Sequence, residues 1–346
     1  MKRTLTLKTA IGAALLCSLM ISPFASAKPF PAGIVRLFST NVAKPGNDPS
    51  WSNLNLDGMR LRPTWSDVQG TSGVFDWSSI DTVVALATDH SKMIGLSVGA
   101  GVFAPQWVYD AGAYKYGIQD GSGLSMPLPW DAAFFASWST FIRAMGSRYD
   151  ANPTLAYIVI SGLGQNVETY LAKTPADAAS LTLLGGPTAW KEAAKKIIAV
   201  YAEAFPTTPF FITAAKPFDS ADGLAALQDL IEWGVATYPG RFGIMNASLN
   251  AHSSTIYYPN LAVYNHHTTQ PVGFQMLCSA SLDPVRLGGT LDMALSQGVG
   301  LGAHFVELYQ SDADNPGYQT VLAAQGMALK SNLPVQPPQN LRIVAP

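Results

Sequence analysis

Cysteine is almost missing from this chain. Of its 346 residues only Cys17 and Cys278 are cysteines, and Cys17 falls in a segment expected to be removed, so no internal disulfide is available to the remainder. Cys278 sits in an apolar stretch and reads as a buried structural thiol. Charge is sparse as well: charged residues make up 13% and the formal net charge is −2, which argues against a nucleic acid or an anionic membrane as partner. Beyond the amino terminus no apolar run approaches the roughly 20 residues that a membrane span requires. There is no G-x-G-x-x-G turn, Walker loop, zinc helix motif or G-x-S-x-G elbow, which removes the usual nucleotide, metalloprotease and serine-hydrolase signatures. His252, His266, His267 and His304 fit no standard metal spacing, and Asp312-Ala-Asp-Asn315 lacks the closing glutamate of a calcium loop. The reading therefore calls for no cofactor and no metal.

Residues 1–27 read as a removable secretory leader. Lys2, Arg3 and Lys8 precede an apolar run over 10–24, and Ala25-Ser26-Ala27 supplies the small residues of a cleavage site. The expected location is thus the periplasm or the medium. Residues 28–332 are expected to form one domain, and 333–346 a proline-rich tail.

Strand-like runs occur at 34–38, 59–63, 94–98, 156–161, 210–213, 242–246, 272–276 and 303–309. Amphipathic helical spacing marks 79–90, 131–149, 189–204, 221–236, 287–297 and 319–329; only the connection over 250–271 shows no clear helix. Strand-then-helix alternation predicts a parallel sheet, and eight such units predict a single α/β domain closed as a (β/α)8 barrel.

Barrel chemistry gathers where strands end, and glutamates are few: Glu168, Glu192, Glu203, Glu232 and Glu307. Glu192, Glu203 and Glu232 lie in helical runs with solvated faces. Glu168 and Glu307 alone lie at strand ends and are the candidate catalytic pair. Strand alternation sends Arg60, Arg62, Gln275, Asn246, Ser248, Glu307 and Tyr309 inward or to the mouth. Two carboxylates across a cleft, one protonated and one ionised, are what glycosidic hydrolysis uses, and an inward arginine keeps its partner ionised. A pairing of either glutamate with Arg60 or Arg62 for structure alone is the competing reading. Eight tryptophans and thirteen tyrosines offer either core or flat platforms for sugar rings; Trp65, Trp107 and Trp130, the last two in a glycine-rich loop over 99–130, are the platform candidates. Asn166, His266 and His267 could hydrogen-bond sugar hydroxyls.

Gly58-Met-Arg-Leu-Arg-Pro-Thr-Trp65, Gly73-Val-Phe-Asp-Trp-Ser-Ser-Ile-Asp81, Ala104-Pro-Gln-Trp107 and the fourth-strand Glu168 resemble the retaining glycoside hydrolases of clan A, with the β-galactosidase-like family 42 and its secreted relatives nearest. The resemblance spans most of the barrel. It implies a carbohydrate substrate, Glu168 as acid/base and a second glutamate as nucleophile. Two departures stand out. The clan places Asn directly before its acid/base, whereas Val167 separates Asn166 from Glu168 here. The clan also carries its nucleophile on strand seven, where this chain has Gln275; Glu307 belongs to strand eight. A barrel that binds carbohydrate without cleaving it is the alternative.

Overall fold

The computed structural model describes residues 27–39 and 44–334. The leader and the tail, apart from their innermost residues, lie outside the described residues. Eight parallel strands close into a barrel in chain order, with the last pairing to the first (Gly33 beside Phe305, Val35 beside Glu307). They are Gly33–Phe38, Gly58–Leu61, Met93–Leu96, Leu155–Val159, Phe210–Thr213, Phe242–Leu249, Val272–Met276 and Phe305–Leu308. Nearly every strand residue is buried, as expected of strands covered by helices outside and filled by side chains within. Among the described residues, no helix is long and apolar enough to cross a membrane.

The helices start where side chains can satisfy free backbone amides. Asp131, Thr174, Ser220 and Thr290 each accept an amide hydrogen bond at a helix start. Between strands six and seven lies a helix, Tyr258–His266, that the sequence does not announce. It buries Pro259, Asn260, Ala262 and Val263, a mixed set with no continuous apolar stripe. The glycine-rich stretch after strand three is likewise structured: it holds a short helix, Gln106–Asp110, and a small antiparallel pair, Lys115–Gly117 with Ser125–Pro127.

The lumen is plugged by an aromatic trio. Tyr157, Phe211 and Phe305 pack with ring centroids 4.9–5.4 Å apart. Each lies in register beside a glycine on the neighbouring strand: Gly95, Gly243 and Gly273 respectively. The glycines make room for the rings, since a Cβ on Gly95 would stand 2.1 Å from Tyr157 Cζ, and those on Gly243 and Gly273 would stand 2.4 Å from Phe211 and Phe305. Gly95→Ala is therefore expected to displace the Tyr157 ring and destabilise the fold by about 1–3 kcal/mol, the usual range for overpacking a core. A urea unfolding midpoint equal to wild type would show that the ring relaxes freely.

The alternation read from the sequence holds for strands two and eight, where Met59, Leu61, Val306 and Leu308 join the outer core. It fails in strand six. Met245 enters the lumen cluster, so Asn246 has the opposite phase; it nevertheless lines the rim cavity, and just beyond it the pairing with strand seven slips between Asn246 and Leu249.

Candidate active site at the carboxyl rim of the barrel

Strand four ends at Val159, and Glu168 is carried by the loop that follows. That loop is pinned from below: Trp138 Nε1 donates to the Ser161 carbonyl (3.1 Å) and Trp190 Nε1 to the Leu163 carbonyl (2.7 Å). It then runs beside the end of strand five, where Thr169 N donates to the Thr213 carbonyl (3.1 Å) and Ala215 N to Thr169 Oγ1 (2.7 Å). Gly164 has no room for a side chain, because a Cβ there would lie 2.1 Å from the Glu168 carbonyl oxygen. Asn166 Oδ1 accepts the Glu168 amide at 3.0 Å, an Asx turn that fixes the backbone of the glutamate. The Asn-x-Glu spacing thus gives Asn166 a positioning part in this loop.

Glu168 is half-buried in the wall of a cavity of about 530 Å³, which Thr213, Lys216, Asn246, Gln275 and Tyr309 also line. Burial raises its pKa above the usual carboxylate range, while the positive charges of Arg60 and Lys173 pull the other way. Lys216 is itself paired with Asp219.

Glu307 has a different setting. It is fully buried and is absent from the cavity lining. Arg60 Nη1 lies 2.5 Å from its Oε2, and Tyr157 Oη donates to its Oε1 at 2.8 Å. Arg60 also reaches Ser97 Oγ (3.2 Å) and Gln275 Oε1 (3.4 Å). Burial and the charge of Glu307 push the Tyr157 phenol well above its ordinary pKa, so it remains a donor. Gln275, in register beside Glu307, is the side chain that shows itself to the cavity.

The remaining sequence candidates divide. Arg62 stands at the mouth of a smaller hollow of about 300 Å³ with Thr64, Ser97, Phe103 and Asn166. Trp65 cannot offer a face to a sugar: it is fully buried among Trp107, Phe134, Trp138 and Phe141. Trp107 is partly buried against it and donates to the Gln69 carbonyl (2.9 Å). Trp130 lines a separate hollow between helices, with Phe135, Ala189 and Lys196. His266 and His267 sit where the helix Tyr258–His266 ends, before strand seven begins, and so at the opposite end of the barrel from Glu168. His266 pairs with Glu232 (3.0 Å), and His267 Nδ1 lies 2.6 Å from the Tyr264 carbonyl. The expectations for Trp65, His266 and His267 as sugar contacts are corrected accordingly. Tyr157, Lys216, Tyr257 and Arg286 had no motif to mark them. Tyr157 is hidden in an apolar strand, Lys216 and Tyr257 lie on loops and Arg286 in the short helix Pro284–Leu287, and only the closed barrel makes the last three converge.

No protein-family model matches the sequence, and no curated protein matches it. Solved structures do resemble the fold. The catalytic domain of a β-amylase from Paenibacillus polymyxa aligns with a TM-score of 0.59 at 10% identity, covering 87% of this chain and 100% of that one. A β-galactosidase from the psychrophilic Marinomonas ef1 aligns with a TM-score of 0.53 at 10% identity over 85% of this chain, which spans 59% of that protein. A psychrophilic glycoside hydrolase family 10 endo-β-1,4-xylanase gives 0.51 at 13% identity, covering 89% and 94%. The closed eight-stranded parallel barrel is thus an architecture shared with glycoside hydrolases, including that of the clan A resemblance.

Proposed function

We propose that this chain is an exported glycoside hydrolase that cleaves an O-glycosidic bond of an oligo- or polysaccharide with retention of configuration. The observation that carries this reading is Glu168: a half-buried carboxyl group with a raised pKa, on the wall of a polar cavity at the barrel's carboxyl rim. A carboxyl group that keeps its proton to higher pH can donate it to the leaving oxygen, then take one from water. Glu307 is the second carboxylate in this reading, one strand from Gln275 and tied to Arg60. Each of its oxygens accepts one hydrogen bond, from Arg60 or Tyr157, and keeps a lone pair free, but it is fully buried, so attack on a sugar carbon requires the rim to open onto it.

The burial of Glu307 and the neutral Gln275 at the cavity favour a second reading, a barrel that binds carbohydrate without cleaving it. One experiment separates the two. The protein is incubated with a panel of aryl glycosides and oligosaccharides, and the anomer first released is followed by proton NMR. Retention is the expected result. Inversion would remove Glu307 as nucleophile, and binding with no release across the panel would leave the second reading.

A further inference from the structure

We infer that the saccharide bound at this rim is acidic, with its anionic group seated on Arg62 in the smaller hollow; this deepens the carbohydrate-site reading above and rests on it. The two arginines of strand two have unequal lots. Arg60 Nε and Nη1 are engaged by Ser97, Gln275 and Glu307, and only its Nη2 is left without an acceptor among the described residues. Arg62, two residues on, has no ion pair among the described residues, and it lines a hollow with Thr64, Ser97 and Asn166 and no acidic residue at all. Glu307 attracts it through space, but that carboxylate's oxygens are already taken by Arg60 and Tyr157. Arg62 is exposed at the rim, and the positive charge of Arg60 stands near it. An exposed guanidinium with no protein acceptor, lining an acid-free hollow, presents a rigid fork to whatever enters, and that fork matches a carboxylate or a sulfate.

The wider rim has the same sign. The Asn166–Glu168 stretch separates the smaller hollow from the large cavity, so a sugar chain lying across Glu168 would touch both. The large cavity adds Lys216 and Arg286, against which Asp219 and Glu168 are the acids; Asp219 is occupied by Lys216, and Glu168 must hold a proton to act as acid. Arg286 has no ion pair among the described residues. With Glu168 protonated, Arg62 in the smaller hollow and Arg286 in the large cavity are left without a paired carboxylate, an arrangement that suits an acidic glycan better than a neutral one.

Binding of tetragalacturonate and of its methyl ester, and of a sulfated galactan tetrasaccharide and its desulfated form, is measured by titration calorimetry on the full protein. At least one acidic form is expected to bind about 10-fold or more tightly than its uncharged counterpart, as a charge-assisted bond implies. The member of the panel that does so identifies carboxylate or sulfate as the group. The preference is expected to shrink at high salt, to fall several-fold in Arg62→Gln and to fall less in Arg62→Lys. Equal binding of charged and uncharged forms by the wild-type protein overturns the inference without recourse to any variant, as does a preference undiminished in Arg62→Gln. Binding is read without turnover. An acidic probe bound but never cleaved would therefore sink the hydrolase and spare this inference, and neutral glycosides cleaved with no acidic preference would do the reverse.

Discussion

Glu168→Gln is expected to lower kcat by about 10²–10⁴-fold on substrates with poor leaving groups, the range that a positioned general acid contributes. The loss should shrink as the leaving group becomes a better one, because an activated phenol departs without a proton. The pH profile offers a second readout. Burial raises the pKa of Glu168, and the group donates only while protonated. Activity on poor leaving groups should therefore be present below that raised pKa and fall as pH climbs through it, on a limb lying above the ordinary carboxylate range. In Glu168→Gln the limb should disappear, since the amide does not titrate. A uniform loss across leaving groups, with the limb intact, would place the acid elsewhere and reduce Glu168 to a binding group. Asn166→Ala should act more mildly in the same direction, because it removes the acceptor of the Glu168 amide and not the carboxyl group.

Much of the architecture was legible because it rests on periodicity. All eight barrel strands and most of their helices follow from apolar spacing, which burial on both faces of a parallel sheet enforces. The Tyr258–His266 helix escaped because its buried face mixes Pro259 and Asn260 with Ala262 and Val263. Asn246 was placed in the lumen by strict alternation, yet Met245 takes that phase, and the irregular pairing that follows Asn246 leaves no mark in composition. For the site, residue type outran residue environment. The sequence singles out Glu168, Glu307, Arg60 and Gln275, and the fold brings them to one end of the barrel. The depth of Glu307 depends on where its strand meets Tyr157 and Arg60, a matter of three-dimensional register. Trp65 shows the same limit: a tryptophan within a family-like motif reads as a platform, yet four other rings enclose it.

Breaking the Arg60–Glu307 pair from either side is expected to destabilise the fold by about 3–5 kcal/mol, the usual penalty for leaving one buried charge without its partner. Arg60→Met strands the carboxylate with only Tyr157 as donor, and Glu307→Leu strands the guanidinium with Ser97 and Gln275. The double substitution removes both charges and should recover most of the loss. Arg60 Nη2 has no acceptor among the described residues, so the wild-type pair is itself incompletely satisfied and an apolar replacement forfeits less. Urea unfolding of the wild type, both single variants and the double variant gives the coupling energy directly. The same four proteins separate structure from chemistry at Glu307. If the carboxylate serves the barrel alone, the double variant should regain turnover along with stability, since Glu168 and the cavity lining are untouched. If Glu307 is the nucleophile, the double variant should fold nearly as well as wild type and remain inactive, because a leucine cannot form a glycosyl ester. A stable, active double variant would exclude Glu307 from the reaction and leave Glu168 as the one carboxylate of the mechanism proposed here.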